Sequence, residues 1–318
     1  MMNNSVFMMP RFLSFFLFLI FIPMCIAFSV QQDVARDGYK GEVKSVEEKS
    51  FKIGVDSGDP DGQGMELAEH TLTTYDTNGR RSSITFYPIG ESTEWIELPK
   101  YDANGRMLEV RGLDVNGNLI TRKHFGYGKK GRLTTTRSYH YGYEDSLVDV
   151  EVYTYSRKGR VKEFRNRMIT IQYKYDRKGN MVRISQKDGK EKKAPVLLNN
   201  YFVYNGDGKV IRSWVDDGVG KIMDSCTYVY DAQGREIEML CYSAFGKVKE
   251  KKQTEYDEQG RVKHVISRDT DNGVMDFQFV YETDAKGNWT MLKVLSGNAV
   301  QSLTVRKITY YTSVRSNN

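Results

Sequence analysis

Apolar and polar positions alternate with a period of two through most of the chain. In IQYKY, Ile171, Tyr173 and Tyr175 fall on one face and Gln172 and Lys174 on the other; in DSCTYVY, Asp224, Cys226, Tyr228 and Tyr230 share a face. Period two is the signature of strands, and no segment carries a 3.6-residue apolar stripe of helical length. A turn signal interrupts the strands at regular intervals. The string Tyr-Asp-x-x-Gly-Arg recurs, with variation, from Tyr75, Tyr101, Tyr127, Tyr155, Tyr175, Tyr204, Tyr230 and Tyr256, with a degenerate copy from Thr283, at spacings of 26, 26, 28, 20, 29, 26, 26 and 27 residues.

Each copy reads as a β-hairpin turn. The first-position Asp accepts hydrogen bonds from the backbone ahead of it, and the fourth-position Gly supplies the positive φ that starts the return strand. The fullest copies are Tyr75, Asp76 and Gly79; Tyr101, Asp102 and Gly105; Tyr175, Asp176 and Gly179; Tyr230, Asp231 and Gly234; and Tyr256, Asp257 and Gly260. The strict phase of the tyrosines marks them as structural, each ring buried and each hydroxyl partnered. A second turn falls about midway through most copies, as in LDVNGN, DDGVGK and YSAFGK. Turns of a meander alternate between two edges, so the regular turns share one edge and the variable turns the other.

These readings predict an all-β fold: a long antiparallel meander of tandem β-hairpin repeats, about 26 residues each. KGEVKSVEEKSFKI from Lys40 is the opening strand and SLTVRKITYY from Ser302 the closing one. Some 20 strands at ~4.8 Å would make an open sheet about 95 Å wide. Open twisted sheets seldom exceed ~10 strands without curling, so a curved or superhelical sheet is expected.

Residues 1–29 read as a signal peptide, with Arg11 ahead of an uncharged apolar run and small residues at Ala27 and Ser29. Cys25 is a candidate lipidation site. Residues 30–318 are then one exported repeat domain without a transmembrane span, in the periplasm, on the outer-membrane surface or outside the cell. In that oxidising setting Cys226 and Cys241 form a bridge only if the hairpin register allows it. With Asp231 opposite Arg235, Cys226 faces Leu240 and no bridge forms; with Tyr230 opposite Arg235, the cysteines become same-face diagonal neighbours.

Composition narrows the classes. Mean hydropathy of −0.57 and 12% aromatic residues exclude a multi-spanning helical membrane protein and a disordered tail. A net charge of +6, dispersed along the chain, does not point to nucleic acid. His70, His124, His140 and His264 lack metal-ligand spacing, and the acidic stretch from Asp59 has His70 where a calcium loop needs a bidentate Glu. No catalytic residue, metal or cofactor is expected.

The tyrosine motif resembles the YD repeat of Rhs and teneurin-like proteins, over essentially the whole mature chain. YETDAKGNW and KGEVKSV are similar to segments of short exported repeat proteins of the Bacteroidetes type. The resemblance implies an extracytoplasmic β-repeat protein that binds carbohydrate or protein, without the C-terminal toxin of the Rhs shells.

Repeat proteins usually vary where they bind, so the variable edge holds the candidate site. There Tyr139, Tyr141 and Tyr143 stand near Glu144 and Asp145, and Trp214 precedes Asp216 and Asp217. Aromatic faces beside carboxylates suit a sugar ring or a protein hot spot. The expected function is a non-enzymatic binding or scaffold module for glycan or protein on the cell envelope. The alternative is a structural or inhibitory partner of a secreted enzyme or toxin.

Overall fold

Regular turns every 26 or so residues bring the chain full circle. The computed structural model describes residues 33–53, 64–90, 93–141, 146–189, 194–270 and 273–312; the expected leader with Cys25, most of the acidic loop, and Tyr143 lie outside them. A short helix, α1 (Asp33–Arg36), precedes β1 (Val43–Ile53), β2 (Met65–Tyr75), β3 (Arg81–Phe86), β4 (Trp95–Tyr101) and β5 (Met107–Asp114). Then come β6 (Leu119–Tyr127), β7 (Leu133–His140), β8 (Ser146–Tyr155), β9 (Val161–Arg165) and β10 (Ile169–Tyr175). These lead into β11 (Met181–Asp188), β12 (Val196–Tyr204), β13 (Val210–Asp216), β14 (Ile222–Tyr230) and β15 (Glu236–Ser243). The last five are β16 (Val248–Tyr256), β17 (Val262–Asp269), β18 (Gly273–Thr283), β19 (Trp289–Ser296) and β20 (Ala299–Tyr310).

Consecutive strands pair antiparallel throughout, and β1 pairs with both β2 and β20. The meander is a closed 20-stranded β-barrel, which corrects the expected open, curved or superhelical sheet. Closure removes both bare edges of the sheet. The opening and closing strands complement one another: Val46 faces Ile308, Val43 faces Tyr310, and Arg306 Nε donates to Glu48 Oε2 at 2.5 Å.

The repeat motif is explained residue by residue. In the β2–β3 turn the Asp76 N–H donates to Arg80 O and the Gly79 N–H to Asp76 O, while Asp76 Oδ1 accepts from the N–H groups of Asn78 and Arg80 at 2.9 Å each. This is a three-residue hairpin loop closed by a left-handed Gly, here at φ +70°. In all nine motif hairpins the motif tyrosine position faces the residue two past the Gly, and a one-residue bulge follows at once. The next tyrosine reaches back to the carbonyl at that bulge: Tyr127 to Met107 at 2.7 Å, Tyr155 to Leu133 at 2.6 Å, Tyr204 to Met181 at 2.7 Å, Tyr230 to Val210 and Tyr256 to Glu236 at 2.8 Å. The motif cation lies over the ring of the following copy, as Arg80 over Tyr101 at 5.5 Å and Arg235 over Tyr256 at 4.6 Å. Those cations also cross the next turn: a Cβ on Gly179, at φ +105°, would lie 2.0 Å from Arg160 Nη2.

The bulge decides the disulfide. Asp231 does pair with Arg235, its N–H donating to Arg235 O at 2.9 Å, but the extra residue at Ile237 advances the register by one. Leu240 therefore faces Thr227, and Cys226 faces Cys241 with Cα atoms 4.1 Å apart and a disulfide between them.

The tyrosine face is the more enclosed one. Along β18, Met275, Phe277, Phe279 and Tyr281 are half-buried while Val274, Asp276, Gln278 and Val280 between them are exposed. In a closed barrel the converging, enclosed face lines the lumen. Twenty strands at ~4.8 Å give a perimeter of about 95 Å, a circle about 30 Å across before strand tilt widens it. Barrels narrower than this already hold an aqueous channel. The lining agrees with a wet interior, carrying the pairs Lys252–Glu236 at 2.8 Å and Lys123–Glu151 at 4.0 Å. Among the described residues, buried apolar side chains gather in two local clusters: Val34, Val43, Val46 and Tyr75 at the closure, and Tyr153, Val161, Phe164 and Tyr173 at the short β9–β10 copy.

The segment from Asp33 to Lys40 seals the closure at the regular edge. The hydroxyls of Tyr75 and Tyr101 donate instead to side chains of this segment, to Asp37 Oδ2 at 2.6 Å and Asp33 Oδ2 at 2.7 Å. Arg81 Nε donates to Asp37 at 2.9 Å. At the other side of the seam, Asn288 Oδ1 accepts from Lys40 N–H at 2.7 Å and its Nδ2 donates to Lys40 O at 2.9 Å and Tyr310 Oη at 2.7 Å.

Candidate functional site

Tyr139 lies on β7 and Tyr141 directly beyond it, on the outer face at the variable edge. Their rings stack at 6.5 Å between centroids and 29° between planes. The bulged register sets Arg122 of β6 opposite Tyr139, and Tyr141 N–H continues the ladder to Ile120 O at 2.9 Å. His124 meets the edge of Tyr139 at 5.8 Å. Behind them, on β5, Glu109 accepts from Arg122 Nε at 2.8 Å and Nη2 at 2.6 Å, and lies 3.4 Å from His124 Nδ1 and 3.5 Å from Arg111 Nε.

Electrostatics hold this group charged. Burial lifts the Glu109 pKa, but the Arg122 hydrogen bonds and the nearby Arg122, His124 and Arg111 charges outweigh it and leave Glu109 below the ordinary carboxylate range. The Glu109 bond raises Arg122 in turn. The result is a pair of tyrosine faces beside a fixed guanidinium–carboxylate fork, able to stack on an apolar ring face and to donate and accept hydrogen bonds at its rim.

Trp214 does not join this group. It stands on β13, six strands further round the barrel, or roughly 29 Å along the sheet at ~4.8 Å per strand. Its ring is packed between Tyr201, stacked at 4.9 Å and 8°, and Arg212 at 5.7 Å. Nearby, Ser185, Asn199 and Asp216 form a buried hydrogen-bonded chain, with Asp216 Oδ1 also accepting from Gly218 N–H at 2.9 Å to shape the β13–β14 turn.

Glu109, Arg122 and His124 are residues that sequence reasoning missed as companions of Tyr139. Their signal is the bulge: once each return strand is advanced by one residue, Arg122 falls opposite Tyr139. His70 belongs to another pairing, 2.9 Å from Glu47 and stacked on Tyr87. Among the described residues no group of three or more His, Cys, Asp or Glu is placed to hold a metal ion. No helix there is long and apolar enough to cross a membrane. The outer strand faces carry charged side chains such as Arg111, Arg122, Lys174, Lys251 and Glu255.

Comparison with solved structures gives distant likenesses. A crystal structure of TcdB2–TccC3–Cdc42 matches at 13% identity and a TM-score of 0.29, over 72% of this chain and 15% of that one. The Photorhabdus luminescens Tc holotoxin pore matches at 13% identity and 0.29, over 83% of this chain and 16% of that one. A porin-like protein from Bacteroides uniformis ATCC 8492 matches at 12% identity and 0.33, over 84% and 98%. The chain thus spans about a sixth of the toxin chains it matches. Comparison with curated proteins gave no match. The teneurin YD-shell family model covers residues 41–242, more than half of the chain and seven of its nine motif turns. On that match and the repeat geometry, the chain belongs to the teneurin YD-shell family, whose domain is a structural shell and not a catalytic one.

Proposed function

We propose that this protein is a non-enzymatic, exported YD-repeat barrel of the Bacteroidetes type that serves as a scaffold on the cell envelope and binds a glycan through its outer variable edge. The observation that carries this reading is the Tyr139–Tyr141 pair beside the Arg122–Glu109 fork. The tyrosine faces take the apolar face of a sugar ring, and the fork takes its hydroxyls. The motif tyrosines and turn aspartates are spent on the fold, which leaves the outer variable edge as the place where side chains are free to specialise.

A glycan-array assay on residues 30–318 tests this. Tyr139→Ala/Tyr141→Ala is expected to abolish a positive signal, and Trp214→Ala, whose ring is already packed, to leave it in place. Loss of binding with Trp214→Ala alone would move the site to β13. No binding by a well-folded barrel would favour an envelope protein as partner, to be sought by pull-down.

A further inference from the structure

The net charge of +6, dispersed along the sequence, gathers in space. The nine regular turns share one edge of the barrel, and three consecutive ones, β6–β7, β8–β9 and β10–β11, read GKKGR from Gly128, SRKGR from Ser156 and DRKGN from Asp176. Over these five-residue turns they hold eight cations and one carboxylate, while the other six hold six cations and seven carboxylates. Lys129, Lys130, Arg157, Lys158, Arg177 and Lys178 are all exposed. Hairpins two strands apart place neighbouring tips about 10 Å from one another, so the sector runs roughly 20 Å along the rim. Its one carboxylate, Asp176, is engaged in its own turn, accepting from Asn180 N–H at 2.8 Å and Asn180 Nδ2 at 2.9 Å.

Two of these turns also lack the motif Asp. Elsewhere the final Arg of a copy spends its fork on that Asp: Arg80 Nε and Nη2 lie 2.9 and 2.8 Å from Asp76 Oδ2, and Arg106, Arg235 and Arg261 donate from Nε to Asp102, Asp231 and Asp257 at 2.6, 2.7 and 2.6 Å. Gly128 and Ser156 stand at that position in the copies of Arg132 and Arg160, and among the described residues no carboxylate pairs with either Arg. Both forks are still fixed in place. Arg132 lies over the Tyr155 ring at 5.6 Å and Arg160 over Tyr175 at 5.5 Å, with each Nη2 against the next turn, 2.1 and 2.0 Å from where a Cβ on Gly159 or Gly179 would stand. We propose that this sector of the regular edge binds an acidic polysaccharide, whose uronate carboxylates take on Arg132 and Arg160 the place that Asp76 takes on Arg80. The chain supplies the template, one carboxylate oxygen shared by Nε and Nη2 of a guanidinium. The exposed lysine and arginine tips around the two forks attract a polymer that carries such groups in series. Other acidic partners fit less well. A bilayer is flat and would meet all nine turns, six of which carry no excess of cations. A folded protein needs a desolvated apolar anchor, and none of the central residues of these three turns is apolar. A single-stranded nucleic acid needs open ring faces to stack on, whereas Tyr155 and Tyr175 lie beneath the guanidinium groups. The site shares no residue with the Tyr139 group and does not depend on a glycan binding there.

The test is binding of residues 30–318, which contain all strands of the closed barrel, to immobilised alginate, a polymer of uronic acids, followed by biolayer interferometry. Neutral dextran and duplex DNA are run beside it at the same ionic strength. The expected result is binding to alginate that weakens with added salt, weaker binding to DNA and none to dextran. Arg132→Gln/Arg160→Gln is expected to lower alginate affinity about a hundredfold, roughly tenfold for each charge-assisted pair removed. Arg235→Gln/Arg261→Gln, at the same motif position further round the barrel, should leave it unchanged. Ser156→Asp supplies a variant that keeps the fold: its carboxylate completes the motif and pairs Arg160 internally, so affinity falls about tenfold while the urea midpoint does not fall. Tyr139→Ala/Tyr141→Ala should bind alginate like the wild type, and a loss there would move the site to the variable edge and overturn the proposal. Absence of alginate binding, equal binding to DNA, or affinity indifferent to both Arg132→Gln/Arg160→Gln and Ser156→Asp would overturn it as well.

Discussion

Asn288→Ala isolates what holds the ring shut. Asn288 is 4% exposed, and its amide makes three hydrogen bonds, two that cross the closure to the Lys40 backbone and one to Tyr310 on β20. A net worth of about 0.5–1.5 kcal/mol each gives a loss of roughly 3 kcal/mol, part of it from leaving the Lys40 groups unpartnered. Asn180 holds the same final position of its own motif copy, but its amide donates only to Asp176 Oδ2, at 2.9 Å within the turn. Asn180→Ala should therefore cost about 1 kcal/mol. Urea unfolding followed by tryptophan fluorescence gives both values, and the pair should differ by about 2 kcal/mol, or roughly 4–8 °C in a thermal scan. Equal losses for the two variants would refute the reasoning, because the motif position would then account for the whole effect and the seam for none.

Other perturbations probe the repeat itself. Gly179→Ala forces a side chain into a left-handed position and displaces Arg160 from Tyr175, so a loss of about 2–3 kcal/mol is expected in the same assay; a neutral result would contradict the turn geometry. Cys226→Ser/Cys241→Ser opens a loop of sequence separation 15 and should cost roughly 3 kcal/mol, with reducing agent lowering the wild type alone. Asp76, Asp231, Asp257 and Asp284 are lifted by burial but held below the ordinary range by turn N–H groups and by their Arg, Asn or Tyr partners. Depressed folded-state values add stability that is complete above the unfolded pKa of about 3.9 and is lost as pH falls through the folded ones. The urea midpoint should decline below about pH 4 for this reason, and a midpoint that rises in acid would contradict it.

Much of this architecture is written locally in the chain. The Tyr-Asp-x-x-Gly-Arg string announces its turn because Asp and Gly each do a job inside five residues, and the alternation in IQYKY announces its strand. The bulge after each turn is not legible that way: the extra residue, such as Ile237, is an ordinary strand former, and only the pairing of Cys226 with Cys241 reveals the shift. Closure is less legible still. It depends on curvature summed over twenty strands, although the partners were present as the opening KGEVKSV and the closing SLTVRKITYY. Asp33 and Asp37 gave no periodic signal, since they act once each, supplying partners to Tyr101 and Tyr75 at the start of the ladder. The Tyr139 neighbourhood was half visible: the tyrosines stand out by composition, while Arg122 and Glu109 arrive from two other strands.

Closure is the claim on which the lumen, the two edges and the candidate sites all depend. Glu47 of β1 and Lys307 of β20 face each other across the seam on the outer surface. Nitroxide labels on Glu47→Cys/Lys307→Cys, with Cys226 and Cys241 left in their disulfide, report the distance by continuous-wave electron paramagnetic resonance. The closed barrel predicts strong dipolar broadening from labels on directly paired strands. Spectra identical to the sum of the two singly labelled proteins would place the ends of the sheet apart, and would contradict it.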